Sequence, residues 1–262
     1  MSDAAGKTVI VTGASTLLGQ GIVSAFAREG AHVVMADIDV ENGEPLADQL
    51  GENVVFVRTD ITDDASIDGC IETAVNRFGG VDYLVNMAST YLDNGIATSR
   101  EDWLTSLNIN LVGGQIFSQK IAPVMEQRGG GAIVNFGSIA GKVSQPGRMT
   151  YSAAKAAILR ITGNAAMQLQ PQNIRVNSVS PGWTWSSIMK MATGDKREKA
   201  DSVAAPFHIM GRTGNPDEVA EAVLFLCSEK ARFINGTDIA VDGGYTALGP
   251  EGMEDAVAKL ME

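Results

Sequence analysis

The chain has 262 residues, 45% of them apolar, with 20 Lys and Arg against 31 Asp and Glu and a formal net charge of −11. That length and apolar share suit one sizeable core in a single α/β domain. The acidic balance argues against a broad basic surface for nucleic acid or an anionic membrane.

Cys70 and Cys227 lie far apart in helix-like stretches, with no Cys-x-x-Cys spacing and no neighbouring His, so both are expected to be reduced core residues and no metal site is expected. Met1 to Lys7 carries no apolar run behind a basic start, and no stretch approaches about 18 uninterrupted apolar residues. The expectation is a cytoplasmic protein with no membrane partner.

In chain order, Thr8 to Val11 is a short β-branched run followed by Gly13, after which Leu17, Leu18, Ile22, Phe26 and Ala27 recur at helical spacing. Ala31 to Ala36 reads as strand two, Glu41 to Leu50 as a polar amphipathic helix and Val54 to Val57 as strand three. Asp63 and Asp64 open a helix that runs to Phe78 and is stopped by Gly79-Gly80, the acids sitting at its positive end. Val81 to Val85 is strand four, Trp103 to Glu126 holds two helical stretches, Ala132 to Phe136 is strand five and Thr150 to Leu169 is helix. Ile174 to Val179 is strand six, the segment from Trp183 to Gly214 is irregular, Asn215 starts a helix through Cys227, and Thr237 to Val241 is strand seven. Apolar strands alternating with helices imply a single doubly wound α/β domain over 1–262, of Rossmann type, with a seven-stranded, mostly parallel sheet.

In such a sheet ligands sit beyond the carboxyl ends of the strands. Strand one ends in Thr12-Gly13-Ala14-Ser15-Thr16-Leu17-Leu18-Gly19, where Gly13 permits a tight turn and Gly19 permits close helix packing. The helix that begins near Leu18 aims free N–H groups at a pyrophosphate. Strand two ends at Asp37, whose carboxylate can accept from ribose hydroxyls and would repel a 2′-phosphate. Neither Lys nor Arg lies between Gly13 and Arg28, so NAD is expected over NADP; alternatively Asp37 merely begins a turn. Asp60-Ile61 end strand three, where Asp60 can take the adenine amine, and Asn86 ends strand four where the middle of the cofactor belongs. Singly, such residues are turn formers or caps.

Tyr151 and Lys155 stand at i and i+4 near a helix start and share one face. The ammonium, with a cationic nicotinamide, would favour the phenolate, letting Tyr151 take a proton from an alcohol or give one to a ketone. Ser138 ends strand five and could orient the same oxygen. Asn110 lies inside a helical pattern, where its amide can divert backbone hydrogen bonds and hold a water.

The order and spacing of Gly13…Gly19, Asp37, Asp60, Asn86-Met87-Ala88, Asn110, Ser138, Tyr151-x-x-x-Lys155, Pro181-Gly182 and Val241-Asp242-Gly243-Gly244 resemble the classical short-chain dehydrogenase/reductase family over about residues 5 to 247. The resemblance implies hydride transfer between a nicotinamide and an alcohol or ketone carbon. It makes Tyr151 the general acid/base, Lys155 the holder of the nicotinamide ribose, Ser138 the residue that polarises substrate, and Asn110 the anchor of a relay water. It carries cofactor contacts onto Gly13, Ser15, Thr16, Leu18, Gly19, Asp37, Ile38, Asp60, Ile61, Asn86, Ala88, Tyr151, Lys155, Pro181, Gly182, Thr184 and Ser186. It further implies a homo-oligomer, tetramer or dimer.

Three residues depart from the family pattern: Leu17 replaces its middle glycine, Met87 its second Asn and Ser89 its last Gly. Leu17 is expected to crowd the pyrophosphate, unless the hydroxyls of Ser15 and Thr16 compensate; Met87 is expected to fill apolar space. Residues 183–214 form the expected lid, whose Trp183, Trp185, Met189 and Met191 suggest an apolar, adaptable pocket wall for an apolar or cyclic substrate, with oxidation the favoured direction. His208 and His32 are read as structural. The tail 249–262 is expected to form a short helix over Glu254 to Met261. The competing readings are a catalytically weak NAD(H)-binding or partner subunit, and a sugar epimerase or dehydratase, which needs a further substrate domain.

Overall fold

The computed structural model describes residues 3–255 and 257–261. Seven strands form one sheet: β1 (Thr8–Thr12), β2 (His32–Asp37), β3 (Val54–Arg58), β4 (Tyr83–Asn86), β5 (Gly131–Phe136), β6 (Ile174–Pro181) and β7 (Asp238–Val241). Their order is β3-β2-β1-β4-β5-β6-β7 and every pairing is parallel. The strands match the sequence expectation to within two residues at each end.

Helices cover both faces because the strands are apolar on both. Along β1, Val9 and Val11 enter one core with α1 (Leu17–Arg28) and α9 (Pro216–Cys227), while Ile10 enters the other with α3 (Asp64–Phe78) and α5 (Gly113–Gln127). Phe26 anchors the first core and Phe117 the second, each fully buried; truncating either to Ala would cost about 3–5 kcal/mol. The remaining helices are α2 (Val40–Leu50), α4 (Arg100–Leu107), α6 (Thr150–Leu169), α7 (Ser187–Thr193) and α8 (Arg197–Ala204).

The order reverses between β1 and β4, since β2 and β3 run to one side and β4 to β7 to the other. That switch opens a crevice at the carboxyl ends of the strands, where the expected site residues lie. Both cysteines are buried and unpaired. Among the described residues no helix is long and apolar enough to cross a membrane, and no cluster of His, Cys, Asp or Glu is placed to hold a metal.

Two expectations need correction. The segment 183–214 is not irregular: Ser186 caps α7, Gly194 ends it at φ 65°, and α8 follows. The tail does not form a helix over Glu254 to Met261; Ala256 lies outside the described residues, and among the others a single 3-10 turn, Ala258–Leu260, is present.

Candidate active site

The turn from β1 into α1 is held by close backbone packing. Gly13 sits at φ +69°, and a Cβ there would lie 3.0 Å from the backbone of Ala88; a Cβ on Gly19 would lie 2.4 Å from the Gly13 carbonyl. Thr12 Oγ1 accepts from the N–H groups of Met87 and Ala88 at 2.9 and 3.1 Å, fastening β1 to the end of β4. The hydroxyls of Ser15 and Thr16 are committed within the loop. Ser15 Oγ donates to the Asp39 carbonyl at 2.9 Å, and Thr16 Oγ1 donates to Gly13 O and accepts from Gly19 N, capping α1. The N–H groups of Leu17 and Leu18 have no acceptor among the described residues and lie at the positive end of α1. Leu17 itself is half-buried, and neither it nor Leu18 requires a left-handed backbone.

Asp37 closes β2 with both oxygens occupied by backbone donors, Ser15 N at 2.8 Å and Asp39 N at 3.1 Å. The carboxylate therefore lies directly against the glycine-rich turn. Ile38 beside it is exposed, 61%. Asp60 Oδ1 accepts from the N–H and hydroxyl of Thr62, which holds its carboxyl below the usual range, and Arg58 adds to the effect. Arg58 pairs in register with Asp37. Arg58 lies outside the Gly13 to Arg28 stretch, and parallel pairing brings it alongside Asp37.

Asn86 is tied into the sheet rather than free: its Nδ2 donates to Gly114 O, Ser118 Oγ and Asn135 Oδ1. Its Oδ1 is buried without a partner among the described residues, and it borders a cavity lined also by Thr12, Ile61, Ala88, Asn110 and Lys155. Met87 is buried in the core beside Val85, as expected of a space-filling residue.

Between α4 and α5 the helix passes through a π turn, Asn108–Val112, centred on Asn110. Asn110 Oδ1 accepts from Thr90 N at 2.7 Å while Nδ2 donates to Thr90 O and Ser106 Oγ, both at 3.0 Å. The expected diversion of backbone bonding thus takes the form of a clamp on the segment after β4. π turns of this kind recur at functional sites.

Tyr151 and Lys155 share a face of α6, with the ammonium 5.4 Å from the Tyr151 ring centroid. Lys155 Nζ donates to Phe136 O at 2.8 Å, and burial pulls its pKa down to about 8. Ser138 caps the turn after β5, accepting from Ala140 N at 3.1 Å, and its hydroxyl also bonds the Tyr151 phenol. Burial, with the adjacent Tyr91 as the next cause, raises the phenol above its ordinary pKa, while Ser138 and Arg148 act in the opposite sense. In this arrangement burial dominates the phenol.

Three neighbours of Tyr151 escaped the sequence reading. Tyr91 stacks on its ring, Arg148 lies 5.3 Å from its centroid, and Asp93 Oδ2 accepts from Tyr151 N at 3.1 Å and Thr150 Oγ1 at 3.0 Å, holding the first turn of α6. Arg148 stands one helical turn before Tyr151 in sequence, a spacing that could have flagged it.

The segment 183–214 is pinned at its base, where Gly214 N donates to Trp183 O and Trp185 N donates to Gly214 O. Gly182 packs where a Cβ would lie 2.7 Å from Asp242 Cα, and Pro181 ends β6. Thr184 is buried in this base, and Ser186 Oγ accepts from Met189 N as the cap of α7. Of the residues expected to form a pocket wall, Trp183 packs on Phe207 and His208, Trp185 lies under Arg197, and Met191 is largely exposed. His208 is structural, accepting from Trp183 N at Nε2 and bonding Ala204 O through Nδ1.

A family model described as enoyl-(acyl carrier protein) reductase matches residues 13–246. The chain is 38% identical over 246 residues to an uncharacterized oxidoreductase of Thermotoga maritima, covering 92% of this chain and 96% of that protein. It is 35% identical over 253 residues to a cis-4-hydroxycyclohexanecarboxylate dehydrogenase of Sinomonas cyclohexanicum, covering 92% and 97%. Its fold matches a 7α-hydroxysteroid dehydrogenase complexed with NADH and 7-oxo glycochenodeoxycholic acid at TM-score 0.86 and 31% identity, covering 92% and 94% of the two chains. L-Sorbose reductase from Gluconobacter frateurii, complexed with NADPH and L-sorbose, matches at TM-score 0.88 and 30% identity, covering 95% and 100%. The chain belongs to the classical short-chain dehydrogenase/reductase family of nicotinamide-dependent oxidoreductases.

Proposed function

We propose that this chain is an NAD(H)-dependent dehydrogenase that interconverts a secondary alcohol and its ketone on a small, cyclic or largely apolar substrate. The observation that carries this reading is the meeting of Ser138, Tyr151 and Lys155, from β5 and α6, beside a cavity at the switch point of the sheet. Residues 1–262 act as one catalytic domain with 183–214 as its lid, and as a homo-oligomer.

The residues present fit a dinucleotide. Gly13 gives a cradle that a side chain would fill, the N–H groups of Leu17 and Leu18 are open donors, and the buried Asn86 Oδ1 lacks a donor beside the cavity. Asp37, Ile38, Asp60 and Ile61 suit the adenosine half, and Ala88, Pro181, Gly182, Thr184 and Ser186 the nicotinamide half. Asp37 favours an unphosphorylated ribose because a second anion there would be repelled. Of the two structural neighbours, the hydroxysteroid dehydrogenase is complexed with NADH, which supports this reading, and the sorbose reductase with NADPH. When bound, the cofactor supplies or accepts the hydride.

Ser138 donates to the substrate oxygen and holds it against Tyr151. In reduction the phenol gives its proton to that oxygen, and its raised pKa keeps the proton in place until then. In oxidation the phenolate takes the alcohol proton, so Lys155 and Arg148 must offset burial, and turnover in this direction rises with pH. Lys155 binds ribose as well as lowering the phenol pKa. The π turn at Asn110 positions a water that passes the proton onward.

Tyr151→Phe keeps the ring and removes the proton, so kcat is expected to fall by about 10²-fold or more with NADH affinity retained. NAD reduction is followed over cyclic, aromatic and aliphatic secondary alcohols, with NADH binding titrated in parallel. Near wild-type turnover in the Phe variant rules this mechanism out.

A further inference from the structure

We infer that the substrate bears a carboxylate, or an equivalent anion, which Arg148 binds while the substrate oxygen lies on Ser138 and Tyr151. The inference rests on the oxidoreductase reading and narrows its substrate class to hydroxy acids and keto acids.

Arg148 lies on the loop leading into α6, half-buried, with its Cζ 4.9 Å from the Tyr91 ring centroid and 5.3 Å from that of Tyr151. The two rings stack on each other, so the guanidinium is held against both aromatic side chains at the reacting phenol. It makes no hydrogen bond and no ion pair among the described residues. Asp93, the carboxylate that holds the start of the same helix, is spent elsewhere: Oδ2 accepts from Thr150 Oγ1 and Tyr151 N, and Oδ1 accepts from Gly95 N at 3.0 Å. Other cations of this region are engaged, Lys142 with Asp238 and Lys155 with Phe136 O. Arg148 is thus a positioned, partly desolvated cation whose donors remain open.

An arginine in this state is suited to a carboxylate, which accepts two parallel N–H bonds in a fixed plane. The whole chain carries 31 acidic against 20 basic residues, so its general field repels an anion and a local cation is needed to hold one. Tyr91 holds one face of the guanidinium, its ring centroid 4.9 Å from Cζ.

The test titrates cyclohexanecarboxylate and cyclohexanecarboxamide against the NADH-loaded protein, beside turnover of 4-hydroxycyclohexanecarboxylate and its amide. The acid is expected to bind about 10-fold or more tighter than the amide, as one charge-assisted pair allows. In Arg148→Met the acid-to-amide ratio falls toward unity, chiefly through KM, and Arg148→Lys keeps part of it. Added salt weakens the acid alone. Equal binding of acid and amide by the wild type overturns the inference, whether or not the Met variant folds. So does a ratio preserved in a folded Arg148→Met, or a loss confined to kcat on both substrates, which would leave Arg148 a stabiliser of the phenolate and nothing more. Turnover of neutral alcohols with no preference for acids sinks this inference and leaves the dehydrogenase standing. Arg148-dependent acid binding without turnover of any alcohol does the reverse.

Discussion

The rings of Tyr91 and Tyr151 stack with centroids 4.9 Å apart and an interplanar angle of 25°. The Tyr91 hydroxyl bonds the neutral phenol and is among the causes that raise its pKa. A bond that favours the protonated form delays ionisation, so its removal lets the phenolate form at lower pH. Tyr91→Phe is therefore expected to move the rising limb of alcohol oxidation acid-ward by about 0.7 pH unit, the equivalent of a hydrogen bond worth about 1 kcal/mol. The pH profile of kcat/KM measures it; a limb unmoved or shifted to higher pH contradicts the assignment.

Lys155 gives a prediction about stability. Its pKa is near 10.4 in an unfolded chain and burial lowers it to about 8 in the fold. Below about pH 8 both states hold the proton and the fold bears the full cost of burying an ammonium. Between about pH 8 and 10.5 the native state releases its proton first, so wild-type stability rises with pH, and above that window the cost is gone. The difference corresponds to about 3 kcal/mol, offset by about 1 kcal/mol for the bond to Phe136 O. Lys155→Met is expected to be more stable than wild type by about 2 kcal/mol at pH 7 and to lose that margin near pH 10.5. Urea titrations at both pH values decide it; a variant less stable at pH 7 refutes the sign.

Asp37 allows charge to be separated from loop geometry. Asp37→Asn keeps an acceptor for Ser15 N and removes the negative charge. The wild type is expected to favour NAD over NADP by about 10-fold or more in kcat/KM, and the Asn variant to lose most of that preference by gaining on NADP, for which Arg58 across the register supplies a cation. A wild type that uses both cofactors equally would show that Asp37 does not govern the choice.

Much of the fold was readable in the sequence because each strand announces itself with a β-branched apolar run and each crossover with a helical period. The candidate site residues at strand ends were legible for the same reason: Asp37, Asp60, Asn86 and Ser138 follow directly from where the strands stop. What local pattern could not reveal depends on contacts across the sheet. Asn86 reads as a polar residue facing ligand, yet its amide is spent on Gly114, Ser118 and Asn135, which lie 28, 32 and 49 residues away. Tyr91 and Arg148 come together only when α6 docks beside the segment after β4. The lid helices were missed although Ser186 and Gly194 are ordinary cap signals, because α7 has seven residues and no sustained apolar face.

Leu17 remains the clearest break with the family's glycine pattern. In the structure it is the first residue of α1, half-buried and with no left-handed backbone to justify a glycine, so the family's glycine there would serve space alone. Its neighbours cannot compensate through their hydroxyls, since Ser15 is bonded to Asp39 O and Thr16 to Gly13 O and Gly19 N. The phosphates would then be met by the N–H groups of Leu17 and Leu18, an approach that the Leu17 side chain is expected to crowd. Leu17→Gly is expected to tighten NADH binding several-fold, a gain of about 1 kcal/mol. Glycine also loosens the free loop, which takes back part of what removing the side chain gives, so Leu17→Ala, which trims the side chain without that entropy, should gain more. Titrating NADH against the three proteins separates the terms: Ala above Gly above wild type confirms crowding, whereas weaker binding in both variants means that the leucine packs against the cofactor and contributes to holding it.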